Sequence, residues 1–265
     1  MPSERQTALI TGASVGLGRE LAKQFASHGH DVILTARNRD ALEALAGALE
    51  GKHKIKATVF AFDLALPDSP QALFDSVTME GLHVDTLVNN AGFGFAGPFA
   101  DTEIEKELDM IQVNVTAVVY LTKLFMQPML KRKKGRILNV ASMAGFQPGP
   151  LNSIYYSTKA FVLSFSQAID EELRNSGVSV TCLCPGPTAT EFAERAGTVN
   201  THVFRRTNTA DAEDVAHYGY KATMRGDRIA VPGVKNKVII QAERFLPRAF
   251  VTAAVRRIQA DRQGR

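Results

Sequence analysis

Short apolar runs alternate with amphipathic stretches along most of this chain. The runs at residues 7–11, 31–36, 55–62, 84–89, 136–141 and 178–184 are apolar nearly throughout. That pattern predicts strands buried on both faces, as in a parallel sheet. Between them the apolar positions recur at helical spacing. Residues 16–28 carry Leu17, Leu21 and Phe25 on one face, and residues 40–49 carry Leu42, Leu45 and Leu49 on one stripe. Residues 69–79 are read as a further helix. Residues 102–131 predict a long helix interrupted near Pro128, and residues 153–176 another that ends at Gly177. Repeated β-α units of this kind predict an α/β fold. The expected architecture is a doubly wound parallel sheet of about seven strands, covered by helices on both faces and joined by right-handed crossovers.

After Pro185-Gly186 the alternation weakens. Residues 188–208 show no clear period and read as a long irregular loop, with a substrate lid expected at about residues 187–209. Residues 211–225 predict a helix with Thr209 as N-cap, and residues 228–231 a short last strand. Residues 235–259 form a basic amphipathic extension broken at Pro247. This extension is a packing helix covering the substrate cleft, a dimer contact or a weak membrane-surface element; packing on its own domain is the plainest reading. No linker, low-complexity tract or internal repeat divides the 265 residues, so one domain is expected over residues 1–265.

Apolar residues make up 45% of the chain and charged residues 22%, which suits a globular protein with a full core. A formal charge of +4 over this length points to no nucleic-acid partner. The densest basic run, Lys131-Arg132-Lys133-Lys134-Gly135-Arg136, falls at a predicted helix end, where cations complement the dipole. Cys182 and Cys184 lie two apart on one strand face, without metal-ligand spacing, and are expected to be buried reduced thiols; no metal is expected. Residues 1–6 carry no apolar leader, and no stretch reaches about 18 uninterrupted apolar residues. A cytoplasmic protein without stable membrane insertion is the expectation.

The chemistry starts at Thr11-Gly12-Ala13-Ser14-Val15-Gly16-Leu17-Gly18, a glycine loop between the first strand and the first helix. Unpaired N–H groups and the helix dipole converge there, making an anion site. In doubly wound sheets ligands sit beyond the carboxyl ends of the strands. Thr11, Arg37, Asp63, Asn89-Asn90, Ser142 and the loop after Cys184 all fall at such ends. Tyr155 and Lys159 are one helical turn apart and project from one face. A tyrosine, with its reference pKa near 10, needs a neighbouring cation to act as an acid/base at neutral pH. Such pairs also arise by chance on solvated helix faces. Asn114, between Val113 and Val115, is either a satisfied core amide or a distortion of the helix that holds a water.

Taken together these residues resemble the short-chain dehydrogenase/reductase family, over about residues 5–225. The matches are the glycine loop, Asp63-Leu64, Asn89-Asn90-Ala91-Gly92, Asn114, Ser142, Tyr155-x-x-x-Lys159 and Pro185-Gly186-x-Thr188-x-Thr190, in the family's order. The resemblance implies that Gly12, Ser14, Gly16, Leu17 and Gly18 receive a dinucleotide pyrophosphate. Asp63 and Leu64 would border the adenine, and Asn90, Ala91 and Gly92 the adenosine ribose. It further implies that Tyr155 is the general acid/base, that Lys159 binds the nicotinamide ribose and lowers the tyrosine pKa, and that Ser142 polarises the carbonyl. Asn114 would support a water in a proton relay, and Pro185, Gly186, Thr188 and Thr190 would hold the nicotinamide carboxamide and phosphates. The stretch from Asn90 to Phe99 is similar to the bacterial branch of DltE-type reductases.

An enzyme preferring NAD usually has an acid at the end of the second strand. Here that place reads Thr35-Ala36-Arg37, and Arg37, with Arg39 and Ser14 nearby, suits a 2′-phosphate. NADP(H) is therefore expected over NAD(H), although Arg37 also reads as a solvated residue at a strand end. The expected reaction is hydride transfer between NADP(H) and an apolar carbonyl or alcohol, with Phe93, Met143, Phe146 and Phe192 lining the substrate site. Phe95, Tyr156 and Phe204 are further candidates. A catalytically silent dinucleotide sensor or scaffold is the second function class. A homodimer or homotetramer is expected, the unusual C-terminus weighing against the common four-fold assembly.

Overall fold

The computed structural model describes residues 5–189 and 210–262. Its first half repeats strand and helix: β1 (Thr7–Thr11), α1 (Gly16–Ser27), β2 (Asp31–Ala36), α2 (Arg39–His53), β3 (Ala57–Ala61), α3 (Ser69–Met79) and β4 (Thr86–Asn89). Then come α4 (Ile104–Ile111), a π-helical turn (Gln112–Thr116), α5 (Ala117–Arg132), β5 (Gly135–Val140), a 3₁₀ turn (Met143–Phe146), α6 (Ser153–Glu172) and β6 (Val178–Leu183). The described remainder is β7 (Thr188–Ala189), β8 (Ala210–Asp211), α7 (Ala212–Arg225), β9 (Ile229–Ala230), α8 (Val234–Glu243) and α9 (Arg248–Arg262).

Seven strands form one sheet in the order β3-β2-β1-β4-β5-β6-β9, every neighbouring pair parallel. Alternate residues of each strand feed different cores, which is why the runs are apolar throughout. Leu9, Ile33, Leu87 and Ile137 face α3 and α5, where they meet Leu73, Leu121, Phe125 and Met129. Ile10, Leu34, Val88 and Leu138 face the other way, onto Leu21, Phe25, Leu42 and Val215 of α1, α2 and α7. The predicted parallel sheet of about seven strands with helices on both faces is the one observed.

Local chemistry sets the ends. Asn38 caps α2 by accepting from Ala41 N at 3.0 Å, and Asp211 caps α7 by accepting from Glu213 N at 2.9 Å. Asp211 is thus the cap of α7, a place sequence reading gave to Thr209, which lies outside the described residues. Helix α6 stops at Glu172, four residues before its predicted end, and the chain turns through Asn175 and Gly177 in left-handed conformations.

The long helix departs from expectation in an informative way. Pro128 sits inside an unbroken α5, held by buried Phe125 and Met129 on either side. The irregularity lies fourteen residues earlier, in the π-turn centred on Asn114. The run Ile104–Arg132 has the length to cross a membrane, and its most apolar 18-residue window has a mean hydropathy of 1.2. Here Met110, Ala117, Leu121, Phe125 and Met129 are buried within the fold, so that apolarity is spent on the core.

A buried polar string runs beneath the carboxyl ends of the central strands. Asn89 Nδ2 donates to Thr122 Oγ1 at 3.0 Å and to Asn139 Oδ1 at 2.9 Å, and Asn139 Nδ2 donates to Ser166 Oγ at 3.0 Å. It ties β4 and β5 to the two long helices that carry the site.

Candidate active site

The loops after β1 and β4 are laced together. Thr11 Oγ1 accepts from Asn90 N at 3.0 Å and from Ala91 N at 2.9 Å, and Asn90 Nδ2 donates to Thr11 O at 2.9 Å. Gly12 and Gly16 have φ of +65° and +55°, conformations that favour glycine. Gly18 is required for a different reason: a Cβ there would lie 2.2 Å from Gly12 O. Val15, the residue before α1, offers no side-chain cap, and the first turn of α1 holds no acid. Its leading N–H groups are thus suited to an outside anion. Ser14 and Leu17 lie in the same loop and first turn, both partly buried.

Arg37 stands exposed at the end of β2, with its guanidinium 3.8 Å from Asp63 Oδ2 at the end of β3. Asp63 also accepts from Ala65 N at 3.0 Å. Leu64 is buried in the core.

Tyr155 and Lys159 project from α6, as expected, and Ser142 sits opposite as the N-cap of the 3₁₀ turn. Ser142 Oγ accepts from Ala144 N at 3.1 Å and hydrogen-bonds the Tyr155 phenol. Lys159 Nζ donates to Val140 O at 2.9 Å and lies 5.7 Å from the centre of the Tyr155 ring. Asn114 exchanges two hydrogen bonds with Phe93, accepting from its N at 3.1 Å and donating to its O at 2.9 Å. Its second amide proton goes to Thr158 Oγ1 at 3.1 Å. Asn114 is therefore both of its predicted alternatives, a distortion of the helix and a satisfied amide; only Oδ1 has capacity left for a water.

One implied property is reversed. Burial pushes the Tyr155 phenol up to about 12, outweighing the smaller downward pull of its bond to Ser142. Burial also pushes the Lys159 ammonium down to about 8, against a weaker upward pull from Cys182 and Cys184. The lysine does not lower the tyrosine here, because desolvation disfavours the charged form of both groups.

A stability test follows from Lys159. Between about pH 8 and its ordinary value of 10.5, the unfolded chain binds more protons at this residue than the native chain. Its contribution to stability therefore rises with pH across that window. Above about pH 10 Tyr155 acts in the opposite sense, since the native phenol keeps its proton up to about 12. Lys159→Met is expected to be more stable than wild type at pH 7, by up to about 3 kcal/mol. The gap should close towards pH 10.5. Urea melts of both proteins across pH measure it, and a gap that does not change with pH contradicts the assignment.

The C-terminal extension forms a roof over the site, through residues that the sequence did not single out. Val251 and Val255 of α9 pack with Tyr155, Tyr156 and Ala144, and Gln259 Nε2 donates to Tyr156 OH. Val251, Val255 and Gln259 recur at steps of four, a signal that was present in the sequence. Gly149 makes room for this arrangement, because a Cβ there would lie 2.1 Å from the Tyr156 ring. Ile240 of α8 packs with Cys182 and Cys184, and Met143 and Phe146 lie against that cluster. Phe93 packs instead on the core beneath α5. The thiols of Cys182 and Cys184 are free and buried. Thr188 Oγ1 donates to Gly186 O at 2.9 Å, and Pro185 O accepts from Met143 N at 2.9 Å. Thr190, Phe192, Phe204 and nearly all of the expected lid lie outside the described residues.

A family profile described as short chain dehydrogenase matches residues 6–201, from the glycine loop past the Tyr155 and Lys159 helix. The chain belongs to that family. This short-chain dehydrogenase is 37% identical over 175 residues to a very-long-chain 3-oxoacyl-CoA reductase of Coprinopsis cinerea. It is 35% identical over 199 residues to the human protein of the same name. Those alignments take in 65% and 73% of the chain, but only 52% and 62% of the two reductases. The chain thus spans between half and two thirds of the length of these relatives. Among solved structures, a short-chain dehydrogenase from Sphingobium yanoikuyae in complex with NADPH superposes with a TM-score of 0.81 at 30% identity, covering 91% of this chain and 94% of that one.

Proposed function

We propose that this short-chain dehydrogenase is an NADP(H)-dependent oxidoreductase acting on an apolar carbonyl or secondary alcohol, with Tyr155 as general acid/base. The observation that carries the reading is the half-buried Tyr155 phenol, bonded to Ser142 and one helical turn from Lys159. A protein that only sensed or scaffolded a dinucleotide has no use for that arrangement.

The residues present fit the cofactor. A Cβ at Gly12 would lie 2.9 Å from Ala91 Cα, so the loop leaves backbone alone to face a pyrophosphate, and the uncapped N-terminus of α1 adds donors. When bound, the dinucleotide supplies or accepts the hydride. In the reducing direction Tyr155 gives its proton to the substrate oxygen, and in the oxidising direction it takes that proton back. Ser142 donates to the same oxygen and fixes its position. Lys159, with further N–H donors beyond the one given to Val140, holds the nicotinamide ribose. Gly92 brings its backbone against Asn114, where a Cβ would lie 2.9 Å from Oδ1, and so opens the floor beside the ribose.

Arg37 selects the dinucleotide. Its side chain is 71% exposed and 3.8 Å from Asp63, so the guanidinium is available to a 2′-phosphate. Arg37→Ala is expected to weaken NADPH binding by about ten- to a hundred-fold, the value of one or two charge-assisted hydrogen bonds, with NADH little affected. Fluorescence titration of both nucleotides checks this; equal losses for the two contradict it.

For the substrate, Met143 and Phe146 beside Ser142 favour an apolar carbonyl, and the names of the fungal and human relatives point to acyl thioesters. NADPH consumption over aldehydes, ketones, quinones, ketosteroids and 3-oxoacyl thioesters tests the proposal. Tight NADPH binding without turnover on any of them favours the sensor instead.

A further inference from the structure

The two C-terminal helices spend only one side on the rest of the fold. Ile240 of α8 and Val251, Val255 and Gln259 of α9 are buried. Val234 and Val238 of α8, Phe245 and Leu246 of the connecting turn, and Phe250 and Ile258 of α9 face solvent, with Phe245 86% and Val234 77% exposed. The spacing is helical: 234 and 238, then 246, 250, 254 and 258, place these residues along one stripe of each helix, joined through the turn. Soluble monomers seldom leave so extended an apolar surface uncovered.

The charge around the stripe is one-sided. Residues 234–260 carry Lys235, Lys237, Arg244, Arg248, Arg256 and Arg257, all exposed, against one acid, Glu243. The whole chain has a formal charge of only +4, so the rest of it is close to neutral and its excess of cations sits here. Glu243 is partly buried, and burial pushes its carboxyl up.

We propose that α8 and α9 form a membrane-surface anchor, laying this apolar stripe into the headgroup layer of an anionic bilayer with the flanking cations on lipid phosphates. Exposed apolar side chains rimmed by lysine and arginine suit such an interface. The competing occupant is a second copy of the chain. Two-fold pairing sets a patch against itself. Here that opposes one set of cations to an identical set with almost no acids between them, whereas an anionic bilayer turns the same charges to attraction. The inward faces of α8 and α9 touch Met143, Phe146, Tyr155 and Tyr156, so the anchor would hold the apolar wall of the site close to the lipid. The proposal does not depend on which carbonyl is reduced.

Sedimentation of the full chain with vesicles tests it. Phosphatidylcholine vesicles with roughly one phosphatidylserine in three are expected to pellet the protein about ten-fold better than pure phosphatidylcholine at low salt, with the advantage falling as salt rises. The double variant F245S/F250S should lose that binding with unchanged thermal melting. R244E/R248E, which leaves the apolar stripe intact, should lose the preference for phosphatidylserine. Equal pelleting with both vesicles, or none with either, overturns the proposal. So does sedimentation velocity without lipid, if F245S/F250S converts a self-associated wild type into a smaller species, because the stripe is then a contact between copies.

Discussion

Tyr155→Phe is expected to lower turnover by about a hundred- to ten-thousand-fold, the usual span for a positioned acid/base, and to leave NADPH binding nearly unchanged. The phenyl ring keeps the packing on Tyr156, Val251 and Val255, so the fold has no reason to yield. What disappears is the hydroxyl that Ser142 bonds and that hands a proton to the substrate oxygen. Because burial holds this phenol protonated up to about 12, the group is better prepared as a donor than as a base. Carbonyl reduction by wild type should therefore stay level from neutral pH upward over a wider range than alcohol oxidation does. Steady-state rates with a responsive carbonyl and a separate nucleotide titration give the two readouts. A variant with ordinary rates would remove Tyr155 from the chemistry, and one that lost nucleotide binding in the same measure would make it a structural residue.

Gly18→Ala is the second large effect. Its Cβ would meet Gly12 O at 2.2 Å and Asn90 Nδ2 at 2.4 Å. The asparagine amide has some freedom, but a main-chain oxygen does not rotate away. Helix α1 must withdraw from the loop, at a cost of about 1–3 kcal/mol of stability for the overpacking. The same withdrawal pulls the leading N–H groups of α1 from the place a pyrophosphate would occupy, so NADPH affinity should fall by about a hundred-fold or more. Gly47→Ala is the control, because a Cβ there meets nothing within 4 Å and α2 is regular at that point. That change should leave the affinity alone and raise stability by about 0.5–1 kcal/mol. Similar losses from both substitutions would dissociate the loop geometry from nucleotide binding.

The parallel sheet was readable because its signal is redundant. Leu9 and Ile10, or Leu87 and Val88, serve opposite cores, so every position of a strand must be apolar and the run is unmistakable. The site was readable for another reason: its residues cluster at strand ends and at one helical spacing, where core packing alone would not require a glycine loop, Ser142, or Tyr155 with Lys159. Interactions fixed by long-range contact were less legible. Nothing local distinguishes a π-turn at Asn114 from a break at Pro128; the difference is made by Phe93, 21 residues away, which exchanges two hydrogen bonds with the asparagine. The direction of the Tyr155 shift was misjudged because helical spacing shows which cation is near and says nothing of how dry the place is. A helix over the cleft was among the readings of the C-terminal extension, but the contact made by Gln259 was not, because an amide on a basic amphipathic helix reads as surface.

That last contact joins residues 103 positions apart, Gln259 and Tyr156. It bears on when in the life of the protein the site becomes complete. The glycine loop and the strands beside it can assemble while the chain is still being made. The helix that carries Tyr155 must wait for α9, which is made later, before its neighbouring tyrosine is tied down. A nascent chain would thus acquire its nucleotide cradle before its finished acid/base site, an order of maturation that delays chemistry until α9 has been made.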